Sequence, residues 1–163
     1  MWKLLAVLGI AVLAAELFSG EEDKPEKKSV RRNPINNNKN LKVFISFPIE
    51  DKKYRNFLVS QAKNNRSPFS FVDMSVKEPW ESMWKKKCRQ QIQQCDGMIA
   101  LLSKNTWHSA GSRWEIKCAT EEGVPVVGMH VKKDDKGAKP PELNGKKVIE
   151  WSWENLDNSI KNF

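Results

Sequence analysis

Lys42-Val43-Phe44-Ile45-Ser46-Phe47-Pro48-Ile49-Glu50-Asp51 reads as a buried strand that ends in a polar loop and opens a helix. Val43, Phe44, Ile45 and Phe47 are β-branched or aromatic, the residue types that fit a pleated surface. In open α/β sheets, the carboxyl end of such a strand is where ligands sit. Working outward, strand and helix patterns alternate. Asp51–Lys63 predicts a helix with Tyr54, Phe57, Leu58 and Ala62 on one face. The turn Asn64-Asn65-Arg66-Ser67-Pro68 leads to a short strand at Phe69–Asp73. A long loop, Met74–Ser82, precedes a helix near Met83–Gln94. Gly97-Met98-Ile99-Ala100-Leu101-Leu102 is continuously apolar, as expected of a central parallel strand covered on both faces. A helix at Ser112–Glu121 stops at Gly123, and a strand follows at Val124–His130. Lys132–Lys146 is a polar loop, Lys147–Ile149 an edge strand and Trp153–Asn162 a closing helix. The pattern predicts an α/β fold with a doubly wound parallel sheet of about five strands.

The 163 residues, 39% of them hydrophobic, can build one domain with a substantial core. The net charge is +8, and residues 41–163 hold 21 Lys/Arg against 15 Asp/Glu. That excess attracts phosphates, but the lysines are spread along the chain, as on an ordinary solvated surface. No recognisable nucleic-acid motif is present, so no nucleic-acid partner is expected. Cys88, Cys95 and Cys118 form neither a C-x-x-C pair nor an even-numbered framework, which implies reduced thiols. With only His108 and His130 beside them, no metal site is expected. Neither a dinucleotide fingerprint nor a phosphate-binding P-loop occurs. His108 shows no Ser–His–Asp order or spacing.

Leu4 to Ala15 is an uninterrupted run of apolar or small residues, followed by Glu16, Leu17 and Phe18. It reaches a spanning length only if Trp2 and Phe18 sit in the interfaces and Lys3 snorkels. A signal peptide is the rival reading, although no small-x-small cleavage site follows the run. Lys24, Lys27, Lys28, Arg31 and Arg32 flank the segment on its C-terminal side. By the positive-inside rule they would hold the C-terminal part of the chain in the cytoplasm. The organisation expected is therefore an apolar anchor helix at 1–19, a polar linker at 20–40 and one domain at 41–163. The location expected is the bacterial inner membrane, in a single pass, with the C-terminal domain cytoplasmic.

Ser112-Arg113-Trp114-Glu115 has two readings. It fits a capping box, with Ser112 at the N-cap and Glu115 at the third helical position. It also puts a carboxylate in the first turn of a helix, where it can act on a ligand held at a strand-end loop.

In order and spacing, Val-Phe-Ile-Ser-Phe (43–47), Phe-Val-Asp-Met-Ser (71–75), Cys-Asp-Gly-Met-Ile-Ala-Leu-Leu-Ser (95–103) and Trp-Glu-Ile-Lys-Cys-Ala (114–119) together resemble a TIR-like domain. More narrowly, they resemble the ThsB type of bacterial anti-phage Thoeris systems. The resemblance implies a flavodoxin-like sheet and cleavage of the nicotinamide–ribose bond of NAD, a substrate and not a bound cofactor. The product would be a linear or cyclic ADP-ribose-type signal sensed by a partner effector. Glu115 matches the catalytic glutamate. Many TIR enzymes carry a Trp four residues before it, whereas Gly stands at 111 here and the Trp is adjacent, at 114.

Bond cleavage builds oxocarbenium-like charge on the ribose, which a well-placed carboxylate favours over the ground state. Nicotinamide leaves as a neutral ring, so one Glu suffices where ordinary glycosidases use two carboxylates. The substrate-binding candidates are Ser46, Phe47, Pro48, Asp73, Trp80 and Trp114. Phe47 and Pro48 offer a stacking surface at the strand end. Ser46 would meet phosphate or ribose, Asp73 a ribose hydroxyl, and Trp80 would form a wall. Each has a plain reading as well: Phe47 as core, Asp73 as the start of a turn, Trp80 as part of an assembly surface. The competing function is a non-catalytic TIR-like interaction module, tethered at the membrane, that associates with other TIR domains.

Overall fold

A computed structural model describes residues 40–65, 67–73 and 82–163, all within the compact unit Ile35–Phe163. The elements are β1 (Leu41–Ser46), α1 (Lys52–Asn64), β2 (Phe69–Val72), α2 (Ser82–Gln93), β3 (Gly97–Leu102), α3 (Ala110–Glu121), β4 (Val126–His130), β5 (Lys147–Glu150) and α4 (Trp153–Ile160). Single 3-10 turns at Ile49–Asp51, Thr106–His108 and Pro141–Leu143 punctuate the loops.

The five strands form one parallel sheet in the order β2-β1-β3-β4-β5. This is the flavodoxin-like order, in which the chain reverses direction across the sheet between β1 and β3. β3 is the middle strand and every one of its residues is buried, as its apolar run predicts. Strand alternation divides the core in two. Val43, Ile45, Ile99, Leu101, Val127 and Met129 face α1 and α4, packing on Leu58, Ala62, Leu156 and Ile160. Phe44, Met98, Ala100, Leu102 and Val126 face α2 and α3, packing on Cys88, Ile92, Ile116, Cys118 and Ala119. Among the described residues the sheet is therefore doubly wound, with two helices on each face.

Gly123 ends α3 because the chain there needs a positive φ of 70°. Val124 N donates to Ala119 O at 2.8 Å and Gly123 N to Thr120 O at 3.2 Å, the paired bonds of a Schellman stop. The start of α3 differs from expectation. Ser109, not Ser112, is the N-cap: its side chain accepts from Ser112 N. Glu115 therefore lies in the second turn, and the capping-box reading of Ser112 and Glu115 does not hold.

The expected single-pass inner-membrane location is corrected: among the described residues, no helix is long and apolar enough to cross a membrane. The apolar helix expected at 1–19, and the linker expected at 20–40 up to residue 39, lie outside the described residues.

Candidate functional site at the carboxyl ends of β1 and β3

Ser46 is the last residue of β1 and is 1% exposed. Its alternation with Val43 and Ile45 turns its side chain toward α3. There Ser46 Oγ donates to Glu115 Oε2 at 2.6 Å, with Ser112 O as a second acceptor at 3.3 Å. Cys88 of α2 approaches the other carboxyl oxygen, with Sγ 3.9 Å from Glu115 Oε1. A residue from each of β1, α2 and α3 thus meets at one carboxyl group, beside the switch point where such sheets bind ligands.

Glu115 is 6% exposed. Burial pushes its carboxyl up to about 8, opposed by the Ser46 hydrogen bond, reinforced by the charge of Asp73 and opposed again by Cys88. Cys88 is pushed well above the usual thiol range by its own burial and then by the Glu115 charge. Burial thus favours the protonated form of both the carboxyl and the thiol.

The sequence candidates do not all converge on this carboxyl. Asp73, at the end of β2, is bound by Arg55 of α1, whose Nε donates to Oδ2 at 2.6 Å, and its charge reaches Glu115. Phe47 alternates to the opposite face and packs with the α1-side core. Pro48 is buried at the start of the 3-10 turn and accepts from Asp51 N at 2.8 Å. Trp114 turns toward α2, its ring 5.3 Å from Trp84, 5.8 Å from Lys85 Nζ and 6.0 Å from Arg89 Cζ. Trp80 lies outside the described residues.

The structure adds residues that the sequence did not single out. Asp51, 3% exposed, accepts from Ser103 Oγ and, at 3.0 Å, from Asn105 Nδ2. Ser103 N donates to Thr106 Oγ1 at 2.8 Å, and Thr106 Oγ1 to Leu101 O at 3.1 Å. This network ties the loop after β1 to the loop after β3, fixing the rim on both sides of the switch point. Beyond it, Arg113 forks onto Glu142 and stacks over the 40% exposed Trp107 at 5.6 Å. Among the described residues, no three His, Cys, Asp or Glu side chains are grouped to hold a metal ion.

A family profile described as Thoeris protein ThsB, TIR-like domain, matches residues 44–136. That span runs from the second half of β1 through β4 and includes Ser46, Cys88 and Glu115. No curated protein is similar enough to count as a match. Among solved structures, the chain is similar to the TIR domains of the activated Roq1 resistosome, at 19% identity and a TM-score of 0.43 over 55% of this chain. It spans 57% of the length of that chain. It is also similar to Clostridium botulinum CMP N-glycosidase BcmB, at 17% identity and a TM-score of 0.48, over 75% of this chain and 99% of that one. A prokaryotic SEFIR domain matches at 12% identity and a TM-score of 0.48, over 75% and 94%. Likenesses this distant carry nothing about what this chain acts on.

Proposed function

The chain belongs to the ThsB TIR-like family, and on that basis we propose that it cleaves NAD at the nicotinamide–ribose bond with Glu115 as its acting carboxylate. The observation that carries the reading is the buried Ser46–Glu115 hydrogen bond at the carboxyl end of β1. A carboxyl group in this environment is poised between two charge states. At rest it is neutral. A cationic pyridinium ring, or the cation developing on the ribose, favours the ionised form by direct attraction. The carboxylate then stabilises the transition state more than the ground state, which is what accelerates cleavage.

Ser46 is a positioning residue in this reading. Its hydroxyl holds one carboxyl oxygen in place, and a ribose hydroxyl arriving at the site takes over as donor. Asp73 lies near enough for its charge to act on Glu115, and its ion pair with Arg55 holds it at the end of β2. Phe47, Pro48, Trp80 and Trp114 remain candidates for contacts to more distant parts of the substrate. The electron pair of the broken C–N bond leaves with nicotinamide. Water, or another group of the same nucleotide, then attacks the ribose carbon to give a linear or cyclic ADP-ribose product. In anti-phage defence that product would activate a partner effector.

The test is incubation of the full chain with NAD and chromatography of the nucleotides, with Glu115→Gln alongside. Gln is isosteric and uncharged, like the resting carboxyl, so the variant is expected to fold. Loss of nicotinamide release in the variant supports the assignment, and undiminished release refutes it. A second reading, a non-turnover module that associates with other TIR domains, draws on the burial of Glu115. It predicts no nicotinamide release from either protein and association that Glu115→Gln leaves unchanged.

A further inference from the structure

A cleft of about 390 Å³ opens on the opposite side of the sheet from Glu115, lined by Lys53, Tyr54, Phe57, Val131 and Trp151. Its size falls within the range of small-molecule sites, about 300–1,000 Å³. Three of the five lining residues are aromatic. Phe57 and Trp151 lie with ring centroids 5.7 Å apart and planes inclined at 41°. Trp151 is fixed from behind, its Nε1 donating to Gln61 Oε1 at 3.3 Å. Phe57 is 58% exposed although it lies on a helix with a core face, so one side of its ring, beyond its contact with Trp151, faces the cleft.

Lys53 alone among the lining residues is charged, and its Nζ sits 5.0 Å from the Tyr54 ring centroid. That cation–π contact holds the ammonium at the wall of the cleft. Lys52 and Lys53 occupy the first turn of the 13-residue α1, where the macrodipole is positive and cations are disfavoured. Asp51 stands at the N-cap position but makes no side-chain cap. Its carboxylate is turned to Ser103 and Asn105 instead. The cleft thus combines an exposed aromatic wall and one cation held beside it. A planar ring carrying an anionic group complements both: the ring packs on Phe57 and Trp151, and the anion meets Lys53.

We propose that this cleft is a second ligand site, for a mononucleotide, separate from the Glu115 site and independent of turnover. The base lies against Phe57 and Trp151, and the phosphate meets Lys53 at the start of α1.

The test measures equilibrium binding of AMP to the full chain, with adenosine and inorganic phosphate as half-ligands. Saturable AMP binding is expected, tighter than either half-ligand and weakened by salt. Phe57→Ala and Lys53→Glu should each weaken it by about tenfold or more, a loss of the size expected for one stacked ring or one direct charge contact. Both side chains are exposed, so these variants are expected to fold, and unchanged circular dichroism confirms it. Glu115→Gln should leave AMP binding unchanged, and that arm separates this site from the catalytic proposal. Absence of saturable AMP binding overturns the inference, as does binding that survives both cleft variants or is lost in Glu115→Gln. Self-association in sedimentation that Phe57→Ala abolishes, without AMP binding, overturns it in favour of a second copy of the chain.

Discussion

The two sides of the sheet at its carboxyl edge present different environments. On the α3 side, Glu115 is buried, hydrogen-bonded to Ser46 and shifted in its titration. On the α1 side, Phe57 and Lys53 are exposed and line an open cleft. Burial perturbs a carboxyl group and lets a small charge have a large effect, which suits bond breaking. Exposed rings and an ammonium suit capture of a ligand that needs no activation. The dividing line is the side-chain alternation of β1: Ser46 goes one way, while Ile45 and Phe47 go the other. The two proposed sites thereby lie back to back.

The largest expected effect is from Glu115→Gln, which should lower NAD cleavage by about 10²–10³-fold, the usual loss for a key charge-stabilising group. AMP binding should be unaltered, and a parallel loss of both would break the separation of the two faces. Next, Ser46→Ala should lower kcat/KM by about tenfold through lost positioning, and it should also move the pH profile. In the proposed mechanism the active form is the carboxylate, so kcat/KM should rise with pH and level off above about 8. Ser46 stabilises the ionised form, so its removal moves that midpoint to higher pH. Asp73 destabilises the ionised form, so Asp73→Asn moves it to lower pH. Opposite displacements in the two variants sharpen the assignment, whereas a common direction contradicts it.

A smaller effect appears in stability. The folded Glu115 titrates above its unfolded value, so the folded state holds a proton that the unfolded chain has released. Stability should therefore fall as pH rises from about 4.5 to about 8 through this group. Glu115→Gln removes that component. Relative to the parent, it should gain about 1.4 kcal/mol or more between pH 5 and 8, the equivalent of one pKa unit. Urea unfolding at the two pH values measures the gain, and an unchanged difference between parent and variant contradicts the buried neutral carboxyl.

Much of the fold is legible locally. The apolar run Gly97–Leu102 gives the central strand without error, and Gly123 gives the stop of α3. The start of α3 is not legible, because Ser109 and Ser112 are both good N-caps and only the chain path after Thr106–His108 chooses between them. Within the site, Glu115 and Ser46 are each legible as candidates, but their hydrogen bond spans 69 residues of sequence. Asp51 is hidden for the same reason: it looks like an ordinary helix opener, and its partners lie more than 50 residues away. Two candidates could have been placed better from periodicity. Phe47 follows Ser46 in a strand run and so faces the other side. Trp114 precedes Glu115 by one helical step of about 100°, so the two cannot point the same way.

The decisive comparison is nicotinamide release from NAD by the full chain and by Glu115→Gln, at pH 6.5 and pH 8.5. The parent is expected to release nicotinamide faster at the higher pH, and the variant next to none at either. Equal release by parent and variant would overturn the assignment and leave Glu115 as a buried structural carboxyl.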